Sequence, residues 1–412
     1  MSTYGRNEGL VMVRRQRWAI VVATIVTAGV LAGCSSVAGT ALPGEPDVRT
    51  LEVGPYPVDR HRYDQESGGA GALLEGMRMS EAVVPTIQID PSLVYGRGST
   101  VVADSEEALK FLANVSKPVL DNHDMIVGFA ASGADKADPP GQTRPATDTT
   151  AITTVVLRFR DEATAKLAAR ELEDADMGVS PDNRRLGSTE YPDAYLHWRP
   201  GVASVGAFLA HREFVISLYV QRPRADSDDL VTWADKTFDA QVPALDRFQP
   251  TPADRLDTLK VDPENLLARV VVDDRSDLEP DARAFAIFDA YQAIHAADDE
   301  AAVARLIEET GTDKIAVAEA SSVTRARDAE AAVKLLDGLI ESVSDLFDPH
   351  PAPNDVPGAK CLQLNSSGDP EREYKYRCYV PYKRYVGLVT SDKEPDVRQK
   401  VAAQYALLAN SL

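Results

Sequence analysis

The chain has 412 residues, 44% of them hydrophobic and only 7% aromatic, and a formal net charge of −20. A field of that sign repels nucleic acid and anionic lipid, and no basic stripe interrupts it, so nucleic-acid binding is excluded. About 380 residues remain once the leader described next is removed, which is too long for one typical core and predicts two domains.

Arg14, Arg15 and Arg17 form a positive n-region, and Trp18 to Leu31 form the apolar h-region of a secretory signal. This run is shorter than the roughly 20 apolar residues of a transmembrane helix, and no second span of that kind occurs. Leu31, Ala32 and Gly33 then lead directly into Cys34. A lipoprotein signal peptidase needs that arrangement: small, extended residues to cleave, and a thiol to carry diacylglycerol through a thioether. The alternatives are a plain signal anchor and a secreted soluble form. The expectation is therefore a signal peptide over 1–33 and lipid attachment at Cys34. The mature protein would sit on the extracytoplasmic face of the cell membrane, and a doubly acylated cysteine holds stably where one chain binds marginally. Loss of 1–33 removes four arginines and one glutamate and moves the net charge from −20 to −23.

Residues 34–60 are rich in Gly, Pro, Ser and Thr and predict a flexible tether. An N-terminal α+β domain is expected over 61–250. Gly68 to Gly71 marks a flexible spot within it, and Asp104-Ser-Glu-Glu107 is a capping box opening a helix that carries Phe111, Leu112 and Val115. Strands are predicted at 125–131 and 152–160, followed by a helix capped by Asp161. Further strands at about 193–199, 203–210 and 213–220 lead to a helix from Asp226 or Ser227 that buries Leu230, Trp233, Ala234, Phe238 and Leu245.

Residues 249–265 contain three prolines and little apolar periodicity, so 251–265 is assigned as a linker and 266–412 as a C-terminal α+β domain. There, helices are predicted at about 281–297 (Phe285, Phe288, Tyr291, Ile294), 299–309 and 328–347, with a strand near 314–319. Strands at 360–365, 374–381 and 384–390 precede a last helix opened by Pro395, with Val397, Val401, Tyr405, Leu408 and Leu412 on one face. Ser366 to Pro370 is a turn signal, and a hairpin centred between Asp369 and Pro370 places Cys361 opposite Cys378, within disulfide range. A zinc pair is the poorer reading, because no histidine or third cysteine lies nearby at ligand spacing. The two halves end alike: a hairpin around His211-Arg-Glu213 and another around Tyr382-Lys-Arg384 each precede an amphipathic helix. The fold class is α+β, with each domain an antiparallel sheet covered by helices and ending in a shared strand–strand–helix unit.

Candidate chemistry is sparse. Asp273-Asp-Arg-Ser-Asp277 has the spacing of an aspartate-rich diphosphate motif, but it follows a strand-like run and has no second copy, so solvated charge is the better reading. The six histidines (His61, His123, His197, His211, His295, His350) are scattered. Gly201 to Gly206 around Ser204 has one residue too many for a nucleophile elbow and predicts a glycine-softened strand. No catalytic residue, metal or cofactor is assigned.

The Leu31–Cys34 motif, the two-part layout, the Asp262-Pro-Glu-Asn-Leu-Leu-Ala-Arg269 segment and the closing disulfide hairpin resemble one group. It is the uncharacterised cell-envelope lipoprotein family of mycobacteria and nocardiae, known only as a domain of unknown function. The resemblance implies an envelope location and brings no catalytic residues. The sensor domains of actinobacterial receptor kinases offer a weaker resemblance through the strand–strand–helix ends. The expected function is non-catalytic ligand binding in a cleft between the domains, at residues 249–280 and the facing hairpins. A protein–protein scaffold or chaperone for envelope components is the alternative, and an envelope hydrolase lacks its nucleophile–base pair. Replacing Cys34→Ala should leave an unprocessed precursor that incorporates no palmitate. Normal palmitate labelling of that variant would contradict the assignment.

Overall fold

The structure is a computed structural model, described here for residues 46–139, 144–276 and 278–411. Residues 46–412 form one compact unit. Leu31, Ala32, Gly33, Cys34, Asp277 and Leu412 lie outside the described residues.

In the N-terminal half, α1 (Gly71–Arg78) precedes β1 (Tyr95–Val102), and α2 (Ser105–Ala108) and α3 (Lys117–Asn122) follow it. Then come β2 (Val127–Ala134), β3 (Ala151–Arg158), α4 (Glu162–Met177), β4 (Arg184–Leu186) and β5 (Tyr195–Trp198). The half closes with β6 (Ser204–His211), β7 (Phe214–Gln221) and α5 (Ser227–Arg247). The C-terminal half runs β8 (Phe285–Asp289), α6 (Tyr291–His295), α7 (Glu300–Thr310), β9 (Lys314–Ala318) and β10 (Ser321–Arg325). It continues with α8 (Ala329–Glu341), β11 (Phe347–His350), β12 (Lys360–Leu364), β13 (Tyr376–Tyr382), β14 (Tyr385–Ser391) and α9 (Glu394–Asn410).

Each half is α+β, built on a seven-stranded antiparallel sheet. The first is ordered β1-β2-β3-β7-β6-β5-β4, and the second, read from its β8 edge, β8-β9-β10-β14-β13-β12-β11. Adding seven to every strand number of the first sheet gives the second. The helices repeat too: α4 and α8 follow the third strand of their sheets, and α5 and α9 follow the seventh. Both closing hairpins turn on a non-glycine residue in the left-handed region, Arg212 at φ 53° and Lys383 at φ 47°.

Alternation along the strands sends successive side chains to opposite faces. Val155 and Leu157 pack with α4 in one apolar cluster, while Val156 joins Phe238 and Leu245 of α5 in another. Tyr379 packs with α8, while Cys378 and Val380 join Val401 and Leu408 of α9. The α5 and α9 faces belong to the same continuous core, so the two sheets share it. Cys361 and Cys378 lie in that core, directly opposed in β12 and β13 with Cα atoms 4.1 Å apart, and form a disulfide.

Several elements depart from the sequence expectation. Phe285 to Asp289 is strand β8 rather than the start of a helix, because these residues satisfy their backbone against β9. The long helix predicted to 347 stops at Glu341, and Phe347 enters β11. The capping box at Asp104 does cap α2, accepting the Glu107 N–H at 2.8 Å, but α2 ends at Ala108 and leaves Val115 exposed. The described part of the expected tether, 46–60, is packed against α9, with Leu51 and Tyr56 buried and Asn410 donating to the Val58 carbonyl at 2.7 Å.

The halves are also clasped at α6 and α7. Gly96 donates its N–H to the Ala297 carbonyl at 2.8 Å, and Glu300 donates its N–H to the Val94 carbonyl at 2.6 Å. The Glu300 carboxylate accepts the Ile87 N–H at 2.7 Å, with no ion pair among the described residues. Burial pushes Glu300 up to about 7 and His295, also fully buried, down to about 4. A carboxyl raised in the folded state gives stability that is complete below its unfolded value of 4.5 and is lost as pH rises through 7. A histidine lowered from 6.5 gives stability that is lost as pH falls through 4. Glu300→Gln keeps the acceptor and removes the titration. It should therefore abolish the stability loss between pH 4.5 and 7, on the order of 3 kcal/mol, in urea titrations. An unchanged slope in that variant would contradict the assignment.

Candidate functional site

Between α5 and β8 the chain crosses from one half to the other, with no named strand or long helix among the described residues to satisfy its backbone. Buried side chains do that work. Glu75 of α1, fully buried, accepts the Thr251 N–H at 2.9 Å and its hydroxyl at 2.9 Å. The same carboxylate accepts Arg158 at 2.8 Å and Arg78 at 2.5 Å. Asp262 accepts the N–H groups of Leu266 at 2.6 Å and Ala268 at 2.8 Å, and burial nonetheless raises its carboxyl above the usual range. Gln404 of α9 accepts the Val271 N–H at 3.0 Å and donates to the Arg269 carbonyl at 2.7 Å.

Two glycines let α1 pack closely, Gly71 against this crossover and Gly76 against β1 and β2. A Cβ at Gly71 would lie 2.3 Å from the Leu256 backbone, and one at Gly76 would lie 2.5 Å from Val101 and 2.6 Å from Val127. A groove of about 270 Å³ remains between α1, the crossover and the β8–β9 edge. Leu74, Met77 and Val261 are its buried apolar residues, with Leu259 and Ile287 half-buried beside them. Arg78, Lys260, Glu264, Asp289 and Lys314 add charge. Most of these charges already have partners: Arg78 with Glu75, Glu264 with Arg325 at 2.5 Å, and Lys314 with Glu81 at 3.3 Å and Asp289 at 3.6 Å. Burial raises the Asp289 carboxyl above its ordinary value. Lys260 makes no ion pair among the described residues. The lining among the described residues carries the Thr258 hydroxyl and no serine, cysteine or histidine, so the groove offers mainly burial and charge. Its volume is near the lower end of the roughly 300–1,000 Å³ typical of small-molecule sites.

The sequence placed a cleft at 249–280, and residues 258–261, 263 and 264 line this groove. The facing elements are α1, β8 and β9, not the closing hairpins. Leu74, Met77 and Arg78 escaped the sequence reading, although their i, i+3, i+4 spacing was a signal for a short amphipathic helix. The other motifs are accounted for structurally. Asp273 pairs with Lys400 at 3.2 Å. His197 lies opposite Gly206, where a Cβ would come within 2.8 Å of its ring. Burial opposes charge on His197, but Asp176 and Glu173 raise it to about 9. No group of three metal-binding side chains occurs among the described residues. No helix among them is long and apolar enough to cross a membrane.

No curated relative matches the chain. Among solved structures, the extracellular domain of PknH from Mycobacterium tuberculosis is similar over 41% of this chain and 95% of that chain, at 9% identity and a TM-score of 0.29. Two family models cover most of the crossover-linked halves: the domain of unknown function DUF7373, N-terminal, over residues 62–261, and its C-terminal counterpart over residues 266–411. The chain belongs to the DUF7373 family.

Proposed function

We propose that this protein is a membrane-anchored, extracytoplasmic binding module that holds a small, mainly apolar ligand in the groove between α1, the crossover and β8. The walls support this reading. Leu74, Met77 and Val261 form an apolar surface that is in place before any ligand arrives, because Glu75 and Asp262 already fix the backbone on either side. A preorganised apolar surface binds without the cost of ordering loops. Lys260, at the groove and without an ion pair among the described residues, suits a ligand that carries one anionic or strongly polar end. The Cys34 motif supports anchoring at the outer face, and the Cys361–Cys378 disulfide is consistent with an oxidising compartment.

Native mass spectrometry of protein purified from its own envelope tests this. The wild-type protein should carry a small molecule, and Ile287→Trp, which fills the groove, should lose at least nine-tenths of it without a change in melting temperature. An empty wild-type protein, or the same mass retained by Ile287→Trp, would contradict the reading.

A further inference from the structure

A second cavity, of about 630 Å³, lies on the C-terminal half, away from the crossover groove. It is bounded by the β9–β10 turn, the end of β14, the start of α9, Tyr374 and Tyr56. The turn has only two residues, Glu319 and Ala320, and Glu319 holds the left-handed conformation at φ 53°. At the corresponding place in the first half, β2 and β3 are joined by a longer connection, whose described residues 144–150 reach the end of β7. There Gln221 donates to the carbonyls of Ala146 at 2.7 Å and Thr149 at 3.1 Å, and Arg222 binds Asp229 at 2.7 Å beneath the Trp233 ring. The same pair of strands is joined by a long connection in one half and by a two-residue turn in the other.

The chemistry of the open copy is specific. Asp273, Glu319, Asp392 and Asp396 face two lysines, Lys393 and Lys400, so an anionic ligand is repelled. A hydrocarbon would strand these charges away from water. A bound cation is already supplied from within: the buried Lys400 ammonium lies 3.2 Å from Asp273 and 5.5 Å from the centre of the Tyr56 ring. Tyr374 is 45% exposed, a large aromatic side chain that the fold leaves uncovered. The carboxylates each have a contact that fixes them: Glu319 accepts the Asp273 N–H at 2.9 Å, and Asp392 accepts the Lys375 N–H at 3.0 Å. Asp396 is held by the Ser391 hydroxyl at 2.6 Å and the Tyr56 hydroxyl at 2.5 Å.

We propose that this cleft binds a neutral saccharide, with a pyranose C–H face against Tyr374 and its hydroxyls shared between Asp273, Glu319, Asp392 and Lys393. A sugar hydroxyl both donates and accepts, so one ring satisfies carboxylates and an ammonium together. Its axial C–H face supplies the apolar surface that an exposed aromatic ring lacks. The site stands apart from the crossover groove and does not depend on the ligand proposed there.

Saturation-transfer NMR on the purified protein tests it with four probes: the methyl pyranosides of glucose, galactose and mannose, and N-acetylglucosamine. At least one should show transfer to its ring protons. Tyr374→Ala should weaken binding at least tenfold, Glu319→Gln should weaken it measurably, and Ile287→Trp should leave it unchanged. Absence of transfer from all four probes would overturn the proposal, as would transfer that survives Tyr374→Ala. Binding of tetramethylammonium in their place would identify a cation site and overturn it as well.

Discussion

A backbone crossing between two sheets must have its N–H and C=O groups satisfied, and here buried side chains satisfy them. A buried peptide group without a partner costs about 1–3 kcal/mol, so a crossover through apolar surroundings survives only where such partners are supplied. Glu75 holds one end of the segment, Asp262 its middle and Gln404 its far end. A similar device stands in the first half, where Gln241 of α5 accepts the Val84 N–H at 3.2 Å and donates to the Ala82 carbonyl at 2.5 Å. In each half a glutamine on the closing helix grips a non-strand segment that runs across the shared core. The crossover groove exists because this bracing keeps α1, the crossover and the β8 edge from collapsing onto one another.

The duplicate topology gives both halves the same scaffold with different connections. Strand order, helix placement and the left-handed hairpin residue repeat, so the scaffold is constant. The connections differ between the copies, and insertions are tolerated best there. A long β2–β3 connection, held by Gln221 through the Ala146 carbonyl, joins these strands in one copy, and a two-residue turn joins their counterparts in the other. The inner faces of both sheets merge into one core, while α4 and α8 each cover an outer face with a separate cluster.

Much of this was legible in the sequence where period and punctuation agree. The closing hairpins, the helix opened by Pro395 and the opposition of Cys361 to Cys378 follow from alternation, turn residues and helical spacing, and the structure places all three as expected. The α1 signal in the Leu74, Met77 and Arg78 spacing was masked by Gly71 and Gly76, which weaken helix propensity and serve close packing instead. Strand β8 was misread because Phe285, Phe288, Tyr291 and Ile294 are spaced three apart, although a turn separates the first pair from the second. The crossover resembled a solvent-exposed linker because its partners, Glu75 and Gln404, are distant in sequence and polar in type. No local pattern marks a buried carboxylate that serves a backbone 176 residues away.

The central claim is that the braced crossover makes the two sheets one cooperative unit. Differential scanning calorimetry of the purified protein tests it most directly. A single transition is predicted, with equal calorimetric and van't Hoff enthalpies, and Gln404→Ala should lower its midpoint as a whole, by the equivalent of about 1–3 kcal/mol. Two resolved transitions, or a Gln404→Ala variant in which only part of the heat absorption moves, would contradict it.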